Sequence, residues 1–505
     1  MTDAVPSRTT SHPTTTQPYP QRWLALAVIA VTVLMIVLDA TIVNIALPAV
    51  SADLSISEAD QQWIVTAYTL TFGGFLLLGG RIADFWGRKR TYLVGAVGFA
   101  LASALGGLAT NEALLFAARA LQGTFGALLG PASLALITVL FTDAAERAKA
   151  FAVYGAIAGG GSAVGLLLGG VLTEYADWRW CFWVNVPIAV FAVVAAWRIV
   201  PESRASGETT YDVPGAVLVT LGLASLVYGF TQVAEAAQAG EGGSPWSDGT
   251  AITFILVGLV LLVAFVVVEF RVRNPLLPMR LVLDRNRGGA YLTATLVGAG
   301  LIGAFFFLSL YFQQVLGYTP VAAGFASLPV TAGVLVAAGT ASQLVPRIGP
   351  KPLMVAGGVF AAAGLFTLSF LGVDTPFWQL ALPGQLLLGL GLGFTFVPLS
   401  NLALVGVGEH DAGAASAVLQ AVQQVGASIG TALLATFSVT AITEALADRP
   451  PTPEDPAAAL AAQVEGYTTA FTWGAALLLL AAVVSAVLVR ATRDDLPTDA
   501  PVHAG

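Results

Sequence analysis

Long apolar runs dominate this sequence, and they constrain its fold more than any other feature. A helix that crosses a bilayer needs about 20 mostly apolar residues, and runs of that length recur along nearly all of the 505 residues. Charged residues make up 10% of the chain, against about 25% in soluble proteins. So few charges cannot cover the surface of a soluble protein of this length. We therefore predict an all-α integral membrane protein.

The apolar runs predict fourteen transmembrane helices. They are long and uninterrupted, unlike the roughly 10-residue alternating segments of a transmembrane barrel. The predicted spans lie near residues 23–50, 62–82, 91–110, 113–139, 150–173, 181–200, 213–233, 251–270, 289–312, 321–345, 352–371, 378–402, 415–440 and 467–490.

Basic residues orient these spans. Lys and Arg concentrate on the cytoplasmic side of membrane proteins. If both termini are cytoplasmic, nineteen basic residues lie in cytoplasmic segments, and only Arg179 and Arg449 lie outside. The sequence thus predicts a multi-pass protein of the cell (plasma) membrane with both termini in the cytoplasm.

Other residue types exclude several kinds of site. Cys181 is the one cysteine, so a disulfide framework or a cysteine zinc site is excluded, and the three histidines lie outside the apolar runs. There is no basic domain for nucleic acid and no phosphate-binding loop. We expect no metal and no cofactor, with the bilayer as partner and an ion gradient as energy source.

Two similar turns indicate an internal repeat. Gly80–Arg90 and Pro346–Pro352 are both short, basic and glycine-bearing, and aligning them pairs spans 1–6 with spans 9–14. Such repeats are typical of secondary transporters, whose site lies between the halves near the bilayer midplane. The predicted organisation is a disordered cytoplasmic N-terminus at 1–21, a six-helix bundle at 22–200, an inserted helix pair with cytoplasmic connectors at 201–288, a second six-helix bundle at 289–490 and a cytoplasmic tail at 491–505.

Further short motifs lie in or beside the predicted spans. They are Leu38–Pro48 in span one, Arg119–Gly123 in span four, Trp178–Trp180 and Asn185–Pro187 at the entry to span six, Tyr311–Tyr318 at the end of span nine, and Arg347–Lys351 after span ten. With these motifs the chain resembles the major facilitator superfamily, and more narrowly its fourteen-spanner drug:proton antiporters (the QacA/EmrB-like multidrug efflux group). The resemblance covers about residues 22–490.

This resemblance implies a major facilitator fold of two six-helix bundles plus two inserted helices. It also implies proton-coupled export of small lipophilic substrates by a monomer, with drug or antibiotic resistance as the result. A dedicated exporter of one metabolite or self-made antibiotic would carry the same motifs. A membrane-embedded enzyme or a sensor is a more remote alternative, because no paired carboxylates, metal cluster or soluble domain is visible in the sequence.

Asp39 and Arg119 are the candidate proton-coupling residues. Asp39 lies deep in span one, where a charged carboxylate costs about 2.5–3.5 kcal/mol on insertion scales. Arg119 keeps its charge and therefore needs a partner inside span four. The resemblance implies roles in coupling and proton transfer for the two residues. The alternative for Asp39 is a structural acid bonded to the backbone or to a neighbouring helix. The alternative for Arg119 is a structural role that holds spans one and four together.

The turn after span two is the candidate gate. Asp84 can pair with Arg88 there, and Gly80 and Gly87 complete the motif. A latch of this kind would hold the inner side closed and break on opening. The family usually has a basic residue after the acid, whereas this chain has Phe85. Setting topology is the alternative role for the basic residues of the turn.

Span five carries a glycine stripe. Gly161, Gly165 and Gly169 are four residues apart, a spacing that lets another helix approach closely. The antiporter motif of the family has a proline after the middle glycine, and this chain has Leu166. We expect a close-packed hinge without a proline kink.

Polar and aromatic residues inside the spans are candidates for a substrate cavity. Amides in membrane helices either line a cavity or bond neighbouring helices, and aromatic residues often pack or face lipid. The absence of a second deep acid favours neutral or singly charged cationic substrates. The candidates are Tyr68, Gln122, Phe305, Tyr311, Gln420 and Gln424.

Overall fold

A computed structural model describes most of the chain. The described residues are 19–57, 60–141, 143–204, 212–239, 244–272, 275–277, 279–404, 412–450 and 457–493. Within them the structure is helical and contains no strand. The predicted N-terminal segment and C-terminal tail lie almost wholly outside the described residues.

The first half of the chain forms seven helices, and the insert forms two. Those of the first half are α1 (Arg22–Leu54), α2 (Trp63–Trp86), α3 (Arg88–Gly107), α4 (Glu112–Leu140), α5 (Ala144–Tyr175), α6 (Trp180–Trp183) and α7 (Asn185–Ile199). Those of the insert are α8 (Val213–Ala239) and α9 (Gly249–Arg271), with a 3₁₀ turn at Pro245–Ser247 between them.

A short connecting helix, α10 (Met279–Val282), leads to the second half, which repeats this arrangement. The helices of the second half are α11 (Arg285–Leu310), α12 (Pro320–Ala326), α13 (Leu328–Ile348), α14 (Pro350–Leu368), α15 (Ala381–Leu404), α16 (Ala412–Asp448) and α17 (Ala457–Leu488). A π-helical turn at Tyr311–Val315 extends α11.

Twelve of the described helices are long and apolar enough to cross a membrane when α6 is joined to α7, the π-helical turn to α11 and α12 to α13. Helices α3 and α5 also lie where the sequence predicts spans, but they are not among the twelve. Three basic residues stand in the first turn of α3, and charged residues stand near both ends of α5. The count of fourteen membrane spans therefore stays a prediction.

The helices of the two halves pack in the same pattern. In the first half α2 and α3 both pack on α4, and α1 packs on α5 and α7. In the second half α13 and α14 both pack on α15, and α11 packs on α16 and α17. This correspondence follows the pairing of spans 1–6 with spans 9–14.

The inserted pair lies beside the line where the two halves meet. Helix α8 packs against both α2 and α16, one helix from each half. Gln62 Nε2, just before α2, donates to Thr231 Oγ1 at 3.2 Å, and Thr436 Oγ1 of α16 donates to the Phe230 carbonyl at 2.9 Å. The insert is therefore joined to both halves.

Helix α9 turns most of its apolar surface outward. Leu256, Val260, Val263 and Phe270 are all more than half exposed. A soluble protein rarely shows a contiguous apolar face of this kind, whereas a bilayer solvates it. The buried residues of α9 (Ala251, Gly258, Phe265 and Glu269) lie along the face that meets α8.

The glycine stripe of α5 packs on the segment of α1 that contains Asp39. A Cβ on Gly161 would meet Leu34 and Val37 at 3.1 Å, and one on Gly169 would meet the Ile42 carbonyl at 2.8 Å. A Cβ on Gly165 would overlap Thr41 Oγ1. Leu166 is buried, and its carbonyl lies 2.8 Å from the position of a Cβ on Gly324 of α12.

We expect Gly165→Ala to destabilise the protein, because the added methyl group forces α1 and α5 apart. Overpacking of this kind costs about 1–3 kcal/mol, which equilibrium unfolding in mixed detergent micelles would measure. Gly339→Ala is the matched control, since a Cβ there meets no atom within 4 Å. Equal stability of the two variants would contradict the close packing of α1 on α5.

Candidate functional site

Asp39 and Arg119 form an ion pair inside the first half. Arg119 Nη1 of α4 donates to Asp39 Oδ2 of α1 at 2.7 Å, and neither side chain is more than 1% exposed. Removing one member of a buried pair leaves an uncompensated charge, which costs about 3–5 kcal/mol. Each residue therefore explains why the other is tolerated in an apolar helix.

The second oxygen of Asp39 is held by two amides. Gln122 Nε2 and Asn185 Nδ2 each donate to Asp39 Oδ1 at 2.8 Å. Both amides also donate to Ser103 Oγ, at 3.1 and 3.0 Å, and that hydroxyl donates to the Phe182 carbonyl at 2.7 Å. The network joins α1, α3, α4, α6 and α7.

Sequence reasoning assigned no role to Ser103 or Asn185. Serine is common in membrane helices, where it usually bonds its own helix, so Ser103 carried no signal. Asn185 stood within a motif that resembles the family, but nothing in its spacing pointed to Asp39.

Arg119 has further partners around its guanidinium. Its Nε donates to the Ile64 carbonyl of α2 at 2.8 Å, and Nη1 also reaches Gln122 Oε1 at 3.0 Å. The guanidinium carbon lies 4.5 Å from the centre of the Tyr68 ring, a cation–π distance. The charge of Arg119 is therefore balanced by one carboxylate, two oxygen acceptors and an aromatic face.

The donor set around Asp39 suits an ionised carboxylate. Arg119, Gln122 and Asn185 all present N–H groups to it. A protonated carboxyl carries an O–H that needs an acceptor, and these three contacts offer none. A proton on Asp39 would therefore require at least one of these contacts to rearrange.

The residues predicted to line a substrate cavity lie in several places. Tyr68 and Gln122 are buried in the Asp39 network, and Tyr311 is buried with its hydroxyl donating to the Gly372 carbonyl at 2.8 Å. Phe305 is half-buried against the core.

Gln420 and Gln424 lie on α16, apart from that network. Gln420 is hydrogen-bonded to Tyr154 of α5, and the Cβ of Gln424 lies 2.9 Å from the position of a Cβ on Gly73 of α2. These two amides therefore lie where α16 meets the first half. Their role in a cavity stays a prediction.

Contacts between the halves close the end of the molecule where α1 ends. Pro48 lacks an N–H, so the Asn44 carbonyl one turn earlier loses its partner within the helix. Ser309 Oγ of α11 donates to that carbonyl at 2.5 Å. Gln313 Nε2 of the π-helical turn donates to the Ile45 carbonyl at 2.9 Å. Pro48 thus leaves the Asn44 carbonyl free to accept a hydrogen bond from Ser309 of the second half.

The turn predicted to gate contains the expected ion pair. Arg88 Nη2 lies 2.9 Å from Asp84 Oδ1. Gly87 has φ +126°, a backbone conformation that favours glycine, and a Cβ there would meet Glu202 Oε1 at 2.7 Å.

Glu202, which sequence reasoning missed, fixes this turn to the segment after α7. Its Oε1 accepts from the Lys89 backbone N–H at 3.1 Å, and the Arg88 backbone N–H donates to the Ser203 carbonyl at 2.9 Å. These bonds join the turn to its own half. Gly80 has room for a Cβ, whereas one on Gly79 would overlap the Ala127 carbonyl, so α2 meets α4 closely at Gly79.

The fold and this buried network define a multi-pass membrane transporter rather than an enzyme. The Major Facilitator Superfamily profile matches residues 29–431. The puromycin resistance protein of Streptomyces alboniger is 48% identical over 94% of this chain and 92% of its own length. The chain belongs to the Major Facilitator Superfamily.

Two further comparisons agree with this assignment. The multidrug efflux pump LfrA of Mycolicibacterium smegmatis is 35% identical over 84% of this chain and 82% of its own. Among solved structures, a bacterial homologue of the human lysosomal transporter Spinster superposes with a TM-score of 0.64 at 15% identity, over 95% of this chain and 99% of its own. That likeness concerns the fold alone.

We expect Asp39→Asn to lower the free energy of unfolding by about 3–5 kcal/mol, because it leaves the Arg119 charge buried without its counter-ion. The double variant Asp39→Asn/Arg119→Gln removes both charges and should cost less than Asp39→Asn alone. Equilibrium unfolding in mixed micelles measures both. Asp84→Asn, which breaks a partly exposed pair, is the control and should cost about 0–1 kcal/mol. A double variant no more stable than Asp39→Asn would contradict the pairing.

We expect Ser309→Ala to loosen the closed end, because a buried acceptor without a partner costs about 1–3 kcal/mol. Spin labels on Ala176→Cys and Asp374→Cys, one at this end of each half, would be introduced in a Cys181→Ser background. Double electron–electron resonance would then measure the distance between the two labels. The distance distribution should shift to longer values. Ser369→Ala is the control, since that hydroxyl bonds its own helix. An unchanged distribution in Ser309→Ala would contradict the role of this contact.

Proposed function

We propose that the protein exports hydrophobic or amphipathic small molecules in exchange for protons, by alternating access. The observation that carries this proposal is the buried Asp39–Arg119 pair, whose hydrogen bonds suit only the ionised acid. A proton that binds Asp39 breaks the pair, and a proton that leaves restores it. Each event changes the contacts of α1 and thereby biases the carrier toward one conformation.

Helix α1 offers the physical connection between the proton site and the closed end. Asn44 and Ile45, whose carbonyls bond to the second half, follow Asp39 by about one and a half turns on the same helix. A small shift of α1 when Asp39 gains or loses a proton would change the bonds of these carbonyls to Ser309 and Gln313. In an exchange cycle the proton reaches Asp39 from this end while it is open, and substrate leaves there. The protonated carrier then closes this end and releases the proton at the opposite side.

The relatives support export and resistance. One is named for resistance to puromycin, and another is named a multidrug efflux pump. The first name refers to a single antibiotic, so a dedicated exporter of one metabolite or self-made antibiotic is the second candidate. Among the described residues Asp39 is the acid deep in a span near the candidate cavity, which favours neutral or singly charged substrates.

We further propose that the carrier works as a monomer in the plasma membrane with both termini in the cytoplasm. The bias of basic residues toward one side supports this orientation. The closed end described above is then the outer end, and the Asp84–Arg88 turn lies at the cytoplasmic face.

Proteoliposomes with an imposed pH gradient test the proposal. We expect gradient-driven movement of puromycin and of lipophilic dyes such as ethidium by the wild type, and none above protein-free vesicles by Asp39→Asn. Exchange of labelled for unlabelled substrate without a gradient should persist in the variant, because that exchange needs no proton. Glu465→Gln, which changes an exposed acid of α17, is the control.

The outcomes separate the candidates. Transport of several unrelated compounds supports multidrug export, and transport of puromycin alone supports a dedicated exporter. Wild-type uphill transport by Asp39→Asn would refute Asp39 as the coupling group.

A further inference from the structure

Two buried carboxyl groups meet at one end of the inserted helix pair. Asp212 immediately precedes α8, Glu269 lies in the last turn of α9, and each residue is 2% exposed. A Cβ on Gly215 would lie 2.5 Å from Asp212 Oδ2 and 2.8 Å from Glu269 Oε1. Both oxygens therefore face the same point, within hydrogen-bonding reach of each other.

Each carboxyl group has one oxygen satisfied and one without a donor. Asp212 Oδ1 accepts from the Gly215 N–H at 2.8 Å, where it caps α8. Glu269 Oε2 accepts from the Leu277 N–H at 2.8 Å. Asp212 Oδ2 and Glu269 Oε1 are buried with no hydrogen-bond donor among the described residues.

A single shared proton satisfies both of these oxygens. Two ionised carboxylates so close together repel each other, and like charges that share a site cannot both ionise readily. A proton on one group supplies an O–H that donates to the other. Burial of two unpartnered acceptors, by contrast, would cost about 1–3 kcal/mol for each.

The charges around the two carboxyl groups are balanced when the pair holds one proton. Asp212 and Arg81 are the charged groups that act on Glu269 among the described residues. Arg81 belongs to α2, and its Nη2 donates to the Pro275 carbonyl of the segment after α9 at 3.2 Å. With one proton the pair keeps a single negative charge, which the Arg81 guanidinium balances.

We propose that Asp212 and Glu269 form a second proton-binding site, in which one proton is shared between Asp212 Oδ2 and Glu269 Oε1. The site joins the start of α8 to the end of α9. It lies beside Arg81 of α2, which is three residues before Asp84. Loss of its proton adds a second negative charge next to Arg81 and alters the contact of the insert with α2. This site is separate from Asp39, and its occupancy does not depend on the proposed exchange.

Thermal unfolding of the purified protein in detergent between pH 5 and pH 9 tests the site. The folded protein holds a proton that the unfolded chain releases near a pH of about 4. The stability that the site contributes is therefore full at acidic pH and declines as the pH rises, because the folded state binds more protons. We expect the unfolding midpoint to fall more steeply with pH in the wild type than in Glu269→Gln.

Glu269→Gln should fold, because its amide N–H can donate to Asp212 Oδ2 in place of the shared proton. Asp212→Asn provides a second variant with the same expected loss of pH dependence, and Glu465→Gln is the exposed-acid control. Infrared difference spectra should show a protonated carboxyl band in the wild type at neutral pH that is missing from Glu269→Gln. The band should persist in Asp39→Asn, which separates this site from the coupling acid.

Two results would overturn the proposal. One is a parallel pH profile of the wild type and both variants, with no carboxyl band lost. The other is a wild type whose midpoint responds to Na⁺ but not to pH, which would assign the pair to a metal cation.

Discussion

An ion pair buried in a bundle of membrane helices must have all of its hydrogen bonds made inside the protein, since lipid supplies none. Asp39 and Arg119 meet this demand with direct partners on α2, α4 and α7. Ser103 of α3, itself bonded to the Phe182 carbonyl of α6, accepts from the two amides. The arrangement of that half depends on the pair, because these helices must keep its partners in place. The network is sensitive to protonation, since a proton added to Asp39 would place a donor against a donor.

Helix α1 takes part both in the ion-pair network and in the packing of the other helices. On one face it carries Asp39, and on another its side chains pack directly on the glycine stripe of α5. Further along, Pro48 frees the Asn44 carbonyl for Ser309 of the second half. A close-packed, nearly apolar helix transmits a displacement along its length rather than absorbing it in side-chain rearrangement.

The sequence predicted the elements whose signal is local, and it missed those that depend on the tertiary fold. A carboxylate and a guanidinium inside apolar runs stand out by their cost, so Asp39 and Arg119 could be found, and the spacing of Gly161, Gly165 and Gly169 could be read directly. Ser103 and Ser309 carried no such signal because a serine in a membrane helix is common. Asp212 and Glu269 are 57 residues apart, and only the antiparallel packing of α8 on α9 brings them together.

The inserted pair makes the two flanks of the carrier unequal. Without it, a molecule built from two similar halves would show lipid the same kind of boundary on both sides. Helix α8 packs on α2 and α16 together, so one boundary is covered by protein. On the opposite flank α5 packs directly on α12 and α13. A compound dissolved in the bilayer therefore meets two different boundaries between the halves, one covered by the inserted helices and one open to lipid. The carrier is thus asymmetric within the plane of the membrane.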